Sequence, residues 1–142
     1  MQSAGNQALD IQNVIRDSWE KTPGARSAVL LSAGGLVMCS DPSTDTADAE
    51  RLAALSSSLA SLTKAAAQAY GSGWVGAVMI NMQRHHLCMA PVDAQTSLVM
   101  VSDADADTSQ VMYATSLLAA EIAMLLDIAT REQLGRFFLQ PG

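Results

Sequence analysis

Charge is scarce in this chain. Asp, Glu, Lys and Arg make up 15% of its 142 residues, and 14 acidic against 8 basic side chains leave a net charge of −6. The basic residues are scattered from Arg16 to Arg136 without clustering. No stripe exists to neutralise phosphates, which excludes a nucleic-acid binder. There are only two cysteines, Cys39 and Cys88, so no disulfide framework is encoded, and free thiols in a reducing cytoplasm are expected. The opening MQSAGNQALDIQNV lacks the basic segment and apolar core of a secretory signal. The longest apolar run, SLLAAEIAMLL, is interrupted by Glu121 and is expected to be too short to cross a bilayer. These features together predict a soluble cytoplasmic protein without direct membrane insertion.

Hydrophobic residues are plentiful at 49%, which excludes a disordered chain. The length suits one domain, residues 1–142, burying roughly two thirds of its unfolded surface. So little charge implies that part of the remaining surface is covered as well, hence an oligomer.

The run TADAERLAALSSSLASLTKAAAQAY, Thr46 to Tyr70, concentrates this property. Leu52, Leu55, Leu59, Leu62 and Ala66 recur at steps of three and four, predicting a helix that lays its leucines on its own core. The rest is nearly all Ala, Ser and Thr, with Glu50, Arg51 and Lys64 the only charges from Glu50 to Tyr70. A solvent-facing helix normally carries more charge and i,i+4 ion pairs. Both flanks of the leucine face are small: Ala54, Ser58, Ser61 and Ala65 on one, Ala49, Ser56, Ala60, Thr63 and Ala67 on the other. Either would let a second helix approach. We favour the Ser58 flank as a dimer interface.

Around this helix, a first helix is predicted over about Gln7–Lys21, with Ile11, Val14, Ile15 and Trp19 on one side and Thr22-Pro23-Gly24 ending it. Ser27–Ser32 and Leu36–Ser40 form a hairpin around Ala33-Gly34-Gly35. Asp45 or Thr46 caps the long helix, and Gly71 or Gly73 stops it. Strands follow at Trp74–Met82, His86–Val92 and Thr96–Ser102, with a turn at Gln83–His85. The acidic DADAD loop caps a last helix, Thr108–Ala129, whose inward stripe is Val111, Thr115, Leu118, Ile122, Leu125 and Ala129. Residues beyond Arg131 read as a short, partly amphipathic tail. Short connections imply an antiparallel sheet, and strands apolar on both faces imply helices on both sides. The fold class is therefore α+β in three layers.

The segments PGARSAVLLSAGGLVMCS, ERLAALSSSLASLTKAAAQAY and SLVMVSDADADTSQVMYATSLLAAEIAMLL carry a resemblance to the Roadblock/LC7 family. Within it, the chain is similar to the MglB-related proteins (the CvnB type) encoded beside Ras-like GTPases in actinobacterial conservons. The likeness covers residues 7–130, leaving 131–142 as tail. It implies a profilin-like Roadblock fold: a five-stranded antiparallel sheet of order 2-1-5-4-3, the long central helix on one face and the terminal helices on the other. It also implies homodimerisation by pairing of the third strand, with the two long helices side by side. Where the family hairpin usually reads Ser-x-Asp-Gly-Leu, Gly34 replaces the aspartate, so an acidic contact there is lost. Gly34 is expected to adopt the same positive-φ turn.

Catalytic constellations are lacking. His85 and His86 lie at an expected turn with side chains on opposite faces, and a His86/Cys88/Cys39 metal site lacks an obvious way to bring Cys39 close. Gly34-Gly35 has neither the GxGxxG nor the GxxxxGKS spacing, and a strand follows it. Ser56-Ser57-Ser58 has no nucleophile elbow. Asp103, Asp105 and Asp107 lack the central glycine and later glutamate of a calcium loop and read as a helix cap. The methionines, mostly on strands and the last helix, read as core filling. No enzyme activity, cofactor or metal is expected.

The function implied is a non-catalytic homodimeric regulator that binds a Ras-like, MglA-type small GTPase and modulates its nucleotide cycle, with a sensor histidine kinase as a further partner. The candidate dimer interface is Ala54, Ser58, Ser61 and Ala65 on the helix with Trp74, Gly76, Val78 and Ile80 on the third strand. The candidate partner surface is Ala53, Ser57, Ala60 and Lys64. Alternatives are a PAS-like small-ligand sensor, which would need a cavity with convergent polar groups, and a scaffold subunit without GTPase contact.

Overall fold

The computed structural model describes residues 3–139. The chain runs α1 (Ser3–Lys21), β1 (Ala25–Ser32), β2 (Val37–Ser40), α2 (Thr46–Ala69), β3 (Val78–Asn81), β4 (His85–Asp93), β5 (Thr96–Asp103) and α3 (Thr108–Leu139). The strands form one open sheet of order β2-β1-β5-β4-β3, antiparallel throughout. Helix α2 covers one face, and α1 and α3 cover the other.

Strand alternation divides the interior in two. Ala28, Leu30, Cys88, Ala90, Leu98 and Met100 point to α1 and α3, where they meet Ile11, Ile15, Val111, Leu118 and Ile122. Val29, Leu31, Met89 and Val99 point the other way, to Ala49 and Ala53 of α2. This is why Ala28–Leu31 is an unbroken buried run: both faces of the central strands are covered.

The terminal helices keep the faces their spacing predicts. In α1, Ile11 and Ile15 are buried, and Val14 and Trp19 are half-buried against the same core. The Gln7 amide donates to the Leu125 carbonyl at 2.8 Å and ties α1 to α3. Thr22 ends α1 by giving both its N–H (3.0 Å) and its hydroxyl (2.7 Å) to the Ser18 carbonyl. In α3 the stripe Val111, Thr115, Leu118 and Ile122 is buried, and Asp107 caps the helix by accepting from the Ser109 and Gln110 N–H groups. The expected tail continues α3 to Leu139; residues 140–142 lie outside the described residues. Thr108–Ala129 is, contrary to expectation, long and apolar enough by length and composition to cross a membrane. Its buried stripe packs on the sheet, while Tyr113, Leu117 and Met124 on the outer side are exposed.

The long helix departs from its expected orientation. Its most buried residues are Ala49, Ala53 and Ser56, while Leu52 and Leu59 are half-buried and Leu55 and Leu62 are 62% and 68% exposed. At 100° per residue, the inward line lies roughly a quarter turn from the leucine face. The small face packs inward because it permits close approach. A Cβ built on Gly35 would lie 3.3 Å from the Ser57 Cβ and 3.5 Å from the Ala54 Cα. Leucines at this contact would push the helix off the sheet.

Gly35 is also the residue of the β1–β2 turn with positive φ, +83°, whereas Gly34 is not in that region. The expected positive-φ role therefore belongs to Gly35. Its neighbour β2 carries an extra residue: Cys39 pairs with Leu30 and Val37 with Leu31, so Met38 is bulged out.

Asp41 is 2% exposed and organises the β2–α2 connection. One carboxylate oxygen accepts from the Ala28 N–H and the Thr44 hydroxyl, both at 2.8 Å. The other accepts from the Ser43 N–H (3.0 Å), the Ser43 hydroxyl (2.7 Å) and the Thr44 N–H (3.0 Å). The start of α2 is thereby fastened to β1, and Asp45 then caps the helix by accepting from the Asp48 N–H at 2.8 Å.

Asp41→Ala orphans the buried Ala28 N–H and frees the loop, and should cost about 2–4 kcal/mol of unfolding free energy in urea melts, with an unchanged m value. Gly35→Ala should cost about 1–2 kcal/mol from its backbone conformation alone, more if Ser57 cannot shift. Gly34→Asp, with φ outside that region and only the Ser32 Oγ, at 3.9 Å, near its Cβ, should change the melting temperature little.

Candidate functional site

The outward side of α2 is built from the residues its inward packing leaves over. Ala54, Ser58, Ser61 and Ala65 are all exposed, and Leu55 and Leu62 lie on the same outer side. Positions 55, 58, 62 and 65 repeat at steps of three and four, a heptad-like seam. The opposite flank, Ala49, Ser56, Ala60, Thr63 and Ala67, faces the sheet, so of the two flanks only that of Ser58 is open to a second helix. Among the candidate partner residues, Ala53 is fully buried against the sheet and is not part of any surface. Ser57 and Ala60 are half-buried and Lys64 is exposed, and the Ser57 hydroxyl donates to the Ala33 carbonyl at 2.8 Å.

The expected third strand shrinks to Val78–Asn81, leaving Trp74 and Gly76 outside it. Pairing runs Val78↔Met89 to Asn81↔His86; its continuation would set Gly76 opposite Pro91, which has no N–H to give. Val78 and Ile80 remain on the sheet edge, half-buried, and the outer side of β3 has no partner strand. Tyr70 and Trp74, each 87% exposed, sit on the connection from α2 to β3. Gly71 (φ +60°) lets that connection turn away from the helix.

A cavity of about 470 Å³ opens under the C-terminal half of α2, where the helix carries only small inward residues above Leu31, Met89 and the β4–β5 turn. Ser57, Ala60, Ser61 and Lys64 line one wall, and Trp74 and Val75 line another. The sequence analysis did not foresee this space. The signal was present in Ala60, Thr63 and Ala67, too small to fill the gap.

Elsewhere the chemistry is structural. β4 begins one residue earlier than expected, at His85, and the two histidines lie on opposite faces: His85 is exposed and His86 buried, with Nε2 2.9 Å from the Ala104 carbonyl and Nδ1 without a protein partner. Cys39 on β2 and Cys88 on β4 have two strands between them, about 14 Å at a spacing of about 4.8 Å, too far for one metal ion or a disulfide. Among the described residues no group of three or more His, Cys, Asp or Glu is placed to hold a metal. Burial pushes both thiols up, opposed by hydrogen bonds from the Ser40 backbone at Cys39 and from Thr115 at Cys88, so both stay protonated and weakly nucleophilic at pH 7. Ser56 is buried beneath α2, and the Ser58 hydroxyl returns to the Ala54 carbonyl at 3.3 Å, so the serine triplet has no base to activate it.

The family model for the Roadblock/LC7 domain matches residues 11–102. Among solved structures, a Roadblock/LC7 domain from Streptomyces avermitilis superposes with a TM-score of 0.76 at 28% identity, covering 81% of this chain and 96% of that one. An MglB with a tetrameric arrangement gives 0.77 at 23% identity (87% and 92% covered), and Myxococcus xanthus MglB gives 0.77 at 18% (84% and 90%). No curated protein matches. The extent of the family match, together with the sheet order and the placement of the three helices, establishes that this chain belongs to the Roadblock/LC7 family.

Proposed function

We propose that the chain acts as a single cytoplasmic domain forming a homodimer, and that the dimer binds a Ras-like small GTPase of the MglA type and modulates its nucleotide cycle. The observation that carries the dimer is the pair of exposed leucines, Leu55 and Leu62, on a helix side otherwise made of Ala and Ser, beside a strand edge with no partner. An uncovered apolar stripe of this kind is costly in water and easily covered by its own copy. Helices side by side across a two-fold axis would place the Ser58 flanks and leucines in contact, and Val78 and Ile80 would pair across the joined edge.

The GTPase reading rests on family membership and on the likeness to MglB proteins. Lys64 and the half-buried Ser57 form the flank left for it once the dimer is made; Ala60 faces the sheet. Catalysis by an arginine finger is not part of the reading. Arg51 is held by Asp48 at 3.2 Å, and Arg84 sits on the β3–β4 turn. The regulator would instead act by reshaping the GTPase's own switch residues. A sensor histidine kinase is the proposed upstream partner, and its capture together with the GTPase in a pull-down would place the dimer between them.

Sedimentation equilibrium at micromolar concentration should give a mass near twice 14.9 kDa. Ser58→Arg should weaken the dimer by several kcal/mol, on the order of an unpaired buried charge, while Gln12→Arg on exposed α1 leaves it intact. A monomeric wild type, or a Ser58→Arg dimer as tight as wild type, would overturn this interface.

Calorimetry of the protein alone with GTP or ATP should be flat, because the chain has no phosphate-cradling loop. With a Ras-like GTPase encoded beside it, the dimer should bind one nucleotide state in preference and change the rate of hydrolysis or exchange. Equal absence of binding to the GDP- and GTP-loaded forms would remove the GTPase from the proposal.

A further inference from the structure

The cavity under α2 has a chemistry of its own. Its most buried lining is Leu31, Met89 and Thr96, with Ala60, Val75 and the half-buried Ser32 and Ser97 beside them, a largely apolar floor with a few hydroxyls. Its volume of about 470 Å³ falls within the range of about 300–1,000 Å³ typical of small-molecule sites. The polar groups gather at the mouth. Lys64 and Gln68, one helical turn apart on α2, face Gln95 on the β4–β5 turn.

All three side chains are exposed; Lys64 can only donate, and each glutamine amide offers a donor beside its acceptor oxygen. Among the described residues, Lys64 has no ion-pair partner, and neither glutamine amide is engaged by another side chain or by backbone. The one acidic group in the lining, Asp93, has an oxygen occupied by the Gln95 N–H at 2.8 Å. An apolar floor with one cation and two amide donors at the rim suits a molecule with an apolar body and a singly charged acceptor head. Asp93 adds a negative charge at the mouth and disfavours a dianionic phosphate.

We propose that this cavity is a binding site for a monoanionic apolar carboxylate of the fatty-acid class, its tail against Leu31 and Met89 and its head held by Lys64, Gln68 and Gln95. The site needs only one copy of the chain, but it shares Ser61 with the proposed dimer flank and Ser57 and Lys64 with the proposed GTPase flank, so an occupied cavity would alter both surfaces.

Trp74 supplies the readout. The chain has two tryptophans, so Trp19→Phe leaves Trp74 as the only one, standing exposed at the cavity mouth. Titration of this variant with decanoate, below its micellar concentration, should shift Trp74 emission to the blue and saturate at one molecule per chain. Decanol should bind about tenfold more weakly, and Lys64→Gln should weaken decanoate by about tenfold while leaving decanol unchanged, each roughly 1.4 kcal/mol. Ala60→Phe or, should that variant not fold, Ala67→Leu should abolish the response to both. No saturable shift with decanoate would overturn the proposal. So would a shift insensitive to the cavity-filling variants, and so would a blue shift that grows with protein concentration without ligand, which would assign the cavity to a second copy.

Discussion

Between α2 and the sheet the contact is made by methyl and methylene groups of Ala49, Ala53 and Ser56, and everything distinctive about the molecule depends on how close that lets the helix come. Alanine and serine bury little area each, so the helix gains less per residue from its own core than a leucine face would give. It gains proximity instead, with the β1–β2 turn reaching the helix at Gly35 without room for a side chain. Two consequences follow from the same choice. Leu55 and Leu62 are released to the outside while Leu52 and Leu59 stay against the core, and the C-terminal half of the helix stands over a gap that Ala60, Thr63 and Ala67 do not fill. Surface and cavity are two results of one packing decision.

Asp41 makes that arrangement affordable in conformational terms. A helix resting on small residues has weak purchase on the sheet, and its angle must be fixed from elsewhere. The carboxylate bonds to β1 through Ala28 and to the residues leading into α2 through Ser43 and Thr44, so the helix starts from a defined point. A buried charge is costly unless its acceptor capacity is used, and here five donors use it.

Element order, sheet order and the faces of α1 and α3 were legible because each obeys one rule: the most apolar side of an element faces its own core. Ile11 and Ile15, Val111 and Leu118 all follow it. The same rule misplaced α2, where the small side packs on the sheet and half of the leucine side stays exposed. Periodicity gives the existence of a face but not its partner. The third strand was read too long because WVGAVMINM is apolar throughout, while the limit on its pairing lies in Pro91, a residue of the neighbouring strand that no local pattern in Trp74–Met82 reveals. The anchoring role of Asp41 was not foreseen, although Asp41-Pro42-Ser43-Thr44 carries the small hydroxyl residues that return to an aspartate. The outer helix flank was legible as small and short of charge, but the cavity was not, since empty space has no residue to announce it.

The bulge at Met38 has a consequence for how many copies can join. The sheet ends in two unlike edges, each four residues long: β3 pairs in regular register, while the ladder of β2 is broken by an extra residue. Two chains meeting at β3 would leave β2 at both ends of the joined sheet. Each end would then present backbone groups out of step with any incoming strand. Growth along the strand-pairing direction would stop at two, and the chain would carry its own terminator against fibre formation.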